Sequence, residues 1–140
     1  MLVDSGGVGE GVTNDLEKNL GLRFIRYVLT GGTSQTHKLG PRRFSVPRTT
    51  VFNLLYGAFA DNRIHIDPKL KLAKPLLSEL ANLRPLMSEE TGQVRVVHRS
   101  GEHDDMAICL ASTNWWANRL RQAVRVLGAD NTTARLMGQR

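Results

Sequence analysis

Hydrophobic positions recur along this chain with two periods, near two and near three and a half residues, and the changes between them mark its elements. Met1 to Asp4 reads as a short buried strand. Glycines at 6, 7, 9 and 11 then form a turn that lets backbone approach a ligand or another strand, and Val8, Val12, Leu16 and Leu20 follow at helical spacing until Gly21 ends the helix. Leu22 to Thr30 is rich in β-branched and aromatic residues and predicts a second strand. The resulting β-α-β unit implies parallel strands and a right-handed crossover. Residues 31–46 are polar, glycine-containing and basic, which predicts a long surface loop.

Pro47, at a first helical position, opens an apolar helix that reaches Ala60, and Asn62 to Ile66 suggests a short strand. Leu70, Ala73, Leu76, Leu77, Leu80 and Leu83 mark an amphipathic helix, with Pro75 near its start. Gln93 to His98 alternates as a strand does, and Ala107 to Leu127 is a long helix that Gly128 should stop. The pattern predicts an α/β fold, a mixed sheet flanked by helices, as one domain over 1–128 with a frayed tail over 129–140.

Composition narrows the function. At 140 residues and 41% hydrophobic content the chain suits one core. Its apolar stretches fall far short of the ~20 residues that cross a bilayer, and its N-terminus lacks signal-peptide regions, so the expectation is no membrane and a cytoplasmic setting. The single cysteine, Cys109, excludes an internal disulfide and, within an apolar helical run, is expected to pack rather than react. The net charge is +6, and arginine supplies 14 of 19 basic residues. Arginine forks match phosphate oxygens, which points to a polyanion as readily as to a solvated surface. The longest basic run is Arg42-Arg43, so there is no basic tail.

The stretch Gly101-Glu102-His103-Asp104-Asp105-Met106-Ala107 places two carboxylates and an imidazole on the opening turn of the last helix. Adjacent carboxylates repel and a helix cap needs only one, so a cation is a natural stabiliser of the pair. Asp4, before Ser5-Gly6-Gly7-Val8-Gly9, is a second acidic position in similar company. Other chemistries fit less well. GxGxxG and GxxxxGK[ST] are both absent, the four histidines and one cysteine lack zinc spacing, and Ser5 lies in no GxSxG elbow. His65 and His98 fall in strand patterns and read as structural, and Trp115-Trp116 as core.

Asp4 with its glycine turn, Thr30-Gly31-Gly32, Val46-Pro47-Arg48, Glu79-Leu80 and GEHDDMAICLA form an ordered set over about Leu2 to Ala117. This set resembles the nuclease half of bacteriophage terminase large subunits, an RNase H-like fold. The resemblance implies endonucleolytic cleavage of double-stranded DNA during genome packaging, with Mg²⁺ or Mn²⁺ in a two-metal site. It implies that Asp4 and Asp105 are catalytic metal ligands, that Asp104 reaches the metal or caps the helix, and that His103 orients water or phosphate or caps. Lys38, Arg42, Arg43 and Arg48 are the DNA-binding candidates.

The family's first catalytic aspartate lies on strands upstream of Leu2, and its ATPase half is also missing here. The resemblance therefore implies a partial RNase H-like domain in a bacterial host. Its partners would be an upstream terminase polypeptide, the small terminase subunit or portal, or a second copy pairing at the open edge of the Leu2 strand. The alternatives are a catalytically incompetent prophage remnant that binds DNA or protein, and an unrelated small regulatory α/β protein.

Overall fold

The computed structural model describes residues 1–137 apart from 8, 32–35, 91, 93 and 100, and leaves aside the side chains of 94 and 126–137. Val8, Gly32 and Gln93 of the sequence reading, the end of the expected tail at 138–140 and the Leu127 side chain lie outside the described residues. The elements are β1 (Leu2–Asp4), α1 (Gly9–Leu20), β2 (Ile25–Thr30), β3 (His37–Gly40), β4 (Arg43–Pro47), α2 (Arg48–Ala60), α3 (Ala73–Asn82), β5 (Arg84–Met87), β6 (Val94–Val97) and α4 (Asp105–Met137).

The main sheet has the order β1-β2-β4-β3, with β1, β2 and β4 parallel and β3 antiparallel to β4. The fold is thus mixed α/β, and the β-α-β unit has its expected parallel strands. Aligned residues of a ladder share a face, so Leu2, Asp4, Tyr27, Leu29, Phe44 and Val46 look one way and Arg26, Arg43 and Ser45 the other. Trp115 packs on the first face, 6.3 Å from Tyr27 and 5.8 Å from Phe44 between ring centroids. Val51, Phe52 and Leu55 of α2 and Ala107 and Ala111 of α4 complete this core.

The other face receives α1 by polar contacts. Glu10 pairs with Arg43 at 2.8 Å, Glu17 with Arg26 at 2.6 Å, and Asn14 accepts from Arg26 at 2.6 Å. The buried Thr13 hydroxyl donates to the Gly9 carbonyl at 2.8 Å. The docking stripe of α1 is therefore Glu10, Thr13, Asn14 and Glu17, whereas Val12 and Leu20 of the expected apolar stripe are exposed. The strand face it meets carries arginines, and that decides which side of the helix turns inward.

Other expectations are corrected as well. The surface loop over 31–46 contains β3 and β4, joined at Pro41-Arg42. The first helical position is Arg48, and Pro47 ends β4. Asn62 to Ile66 is not a strand. Asn62 takes a φ of 53° after α2, and the Arg63 N–H donates to the Ala58 carbonyl at 2.8 Å, a left-handed helix stop. Unanticipated β5 pairs antiparallel with β6 in a separate two-stranded sheet. Finally, α4 runs through Gly128 to Met137, so the tail expected over 129–140 is helical as far as 137. One interior glycine costs only ~1 kcal/mol against alanine and need not end a helix.

Candidate functional site

Asp4 closes β1 opposite Tyr27. Its Oδ1 accepts the Gly6 N–H at 2.8 Å, a turn in which the side chain replaces a backbone acceptor. Gly7, at φ 54°, makes the reversal, and a Cβ on Gly9 would lie 2.7 Å from the Asp4 carbonyl oxygen, so α1 starts directly against the strand end. The carboxylate itself is solvent-exposed.

Beside it, the phenol of Tyr27 titrates above its ordinary 10.0, first because burial disfavours the phenolate, then because Asp4 and Cys109 add negative potential. The Ser112 hydroxyl lies close enough to offset part of that rise, yet it is buried and has no partner in hydrogen-bond geometry among the described residues.

The carboxyl end of β4 leads into Arg48, which ties three elements together. Its Nη2 pairs with Asp104, its Nε donates to the Val96 carbonyl at 2.9 Å, and its guanidinium lies 5.0 Å from the Phe52 ring centroid. Asp104 is buried and occupies the N-cap of α4, its carbonyl accepting the Ile108 N–H at 2.8 Å. A capping carboxylate ordinarily takes a first-turn N–H. Because Asp104 serves Arg48, Glu79 of α3 instead accepts the Ala107 N–H at 2.9 Å. The motif's Glu79 thus anchors the helix that carries the acidic pair, a role that only the contact reveals.

Asp105 is exposed on the first turn of α4, with no hydrogen bond or ion pair among the described residues. It lies on the flank of the helix shared by Cys109 and Ser112, the flank nearest Tyr27 and Asp4. Asp4 shares its sheet face with Tyr27, and α4 packs on that face, so the two carboxylates lie on the same side of the main sheet. Among the described residues, no three histidine, cysteine, aspartate or glutamate side chains come together as a metal-binding group. Asp4, Asp104 and Asp105 therefore do not by themselves form a closed two-ion site.

The remaining candidates scatter. His103 is exposed at the entrance to α4. Lys38 and Arg42 are exposed on the β3–β4 hairpin, whose turn lies at the amino ends of β2 and β4, opposite the end where Arg48 and Asp104 meet. Arg43 and Arg48 are engaged by Glu10 and Asp104, so neither offers a free charge to phosphate. His65 and His98 are both exposed, and Cys109 is exposed where packing was expected. No helix among the described residues is long and apolar enough to cross a membrane. Comparison with protein families, with curated proteins and with solved structures returns no match for this chain.

Proposed function

We propose that this chain is a partial nuclease domain of the terminase kind, which contributes Asp4 and Asp105 to a DNA-cleaving site that further carboxylates must complete. The observation that carries the reading is the pair itself. Both carboxylates are exposed, free of ion pairs among the described residues, and turned to the same side of the sheet. Hard carboxylate oxygens suit Mg²⁺ or Mn²⁺, and such an ion would supply nucleophile activation and leaving-group stabilisation. The third acidic residue that such a site needs would come from an upstream polypeptide or a second copy. Lys38 and Arg42, remote from the pair, would serve DNA at most as a distant contact.

A second reading, a catalytically inert module that binds DNA or protein, is favoured by the engagement of Asp104 with Arg48, which withdraws one motif carboxylate from any ion. Mn²⁺ titration by calorimetry separates the two, with plasmid nicking followed in the same samples. The nuclease reading expects weak binding that is lost in Asp4→Asn and in Asp105→Asn but survives in a chain with an unrelated exposed change. Absence of any heat of binding, in wild type as in the variants, would leave the inert module.

A further inference from the structure

Starting next to Asp105, α4 carries a second pattern along an adjoining face. Met106, Leu110, Thr113, Ala117, Leu120 and Val124 follow one another at alternating steps of four and three residues, the spacing of a helix-pairing seam. Beside its first half, Leu70, Leu72 and Leu76 face Met106, Cys109 and Leu110 across a groove of about 540 Å³. Leu120 and Val124, 50% and 69% exposed, continue the seam beyond the groove. From Met106 to Val124 the helix rises about 27 Å, enough for five turns of a partner. The Thr113 hydroxyl is satisfied by the Cys109 carbonyl at 2.8 Å, so the seam requires no polar partner.

Charge around this face is one-sided. No acidic residue occurs between Met106 and Ala129. Arg121 and Arg125 flank the outer seam, Lys71 lines the groove, and Lys69 and Lys74 adjoin its lining residues. All five are exposed and without an ion pair among the described residues, against Asp67 and Asp105 as the nearby acids. A second copy would bring its own arginines against these, and like charges beside a seam oppose pairing. DNA would gain nothing from the exposed leucine and valine. We propose that the groove and seam are a docking site for an acidic amphipathic helix of a partner protein, its apolar stripe on Leu110, Leu120 and Val124 and its carboxylates toward the lysines and arginines. This surface stands independently of the nuclease reading.

Cys109 supplies the reporter, since it is the chain's one cysteine, exposed and in the groove wall. The probe is a helical peptide of about 20 residues with leucines at the same spacing and glutamates on its flanks. It is compared with its lysine-for-glutamate counterpart, with a short DNA duplex and with the chain alone in sedimentation. The acidic peptide should abolish Cys109 alkylation at saturation, and Leu120→Glu should weaken its binding by about tenfold, as loss of an interface anchor does. If Leu120→Glu does not fold, the exposed pair Arg121→Glu and Arg125→Glu should weaken it likewise. The proposal is overturned if neither peptide protects Cys109, if the lysine peptide protects it equally, if the duplex protects it equally in wild type and in Asp105→Asn, or if the chain self-associates and shields the thiol without peptide.

Discussion

Tyr27 shows how a single residue links the sheet to the last helix. Its ring fills the layer between β2 and Trp115, and its phenol is held protonated by burial and by the negative potential of Asp4 and Cys109. With its folded pKa above the ordinary 10.0, the folded state retains this proton more tightly than the unfolded chain. The stabilisation is therefore fully present below pH 10.0 and is lost as pH rises through the folded value. Urea unfolding across the alkaline range should show wild-type stability falling more steeply than that of Tyr27→Phe, whose ring keeps the packing without the titration. Equal slopes would place the phenol in solvent. At this scale the core tryptophan Trp115 was legible from helical spacing. The exposure of Cys109 was not, because an apolar run does not say which side of the helix turns inward. Ala107, Ala111 and Trp115 take the buried side, and Cys109 falls away from it.

Among elements, the start of α4 rests on another helix. Ala107 is one of the first-turn donors that an α-helix leaves without an internal acceptor, and Glu79 supplies that acceptor from α3. Glu79→Ala should cost about 1 kcal/mol of unfolding free energy, the usual value of a lost N-terminal cap, read as a shift of the urea midpoint with an unchanged slope. A shift as large in an exposed control such as Glu89→Ala would remove the cap from the account. The helices and the strands β1, β2 and β6 were legible because their periodicity is strong. The strands β3, β4 and β5 were not. His37 to Gly40 is polar without alternation, and Arg84 to Met87 contains Pro85, which only an edge tolerates. Each is a strand because a neighbour, β4 or β6, offers it a ladder.

Over the whole molecule, Arg48 joins the main sheet, the β5–β6 pair and α4 in one partly buried node. Removing one partner strands the other. Asp104→Ala should destabilise the fold by roughly 2–4 kcal/mol, below the upper range for fully buried pairs because Arg48 keeps some access to water. Arg48→Met combined with Asp104→Ala should cost less than the sum of the two single changes, and a double-mutant cycle by urea unfolding measures the difference. Strict additivity would mean that the two groups do not interact in solution.

The sequence by itself determined the α/β class, the parallel β-α-β opening, the helical start at the paired aspartates and the burial of Trp115, because each follows from local periodicity and from chemistry between near neighbours. Only the tertiary structure decided which aspartate remains available. Asp104 and Asp105 are chemically identical in the sequence, yet Arg48, 56 residues away from Asp104 in the chain, engages the first and leaves the second in water. The polar docking of α1 likewise depends on which faces meet across the sheet, a matter of long-range packing that no local pattern encodes.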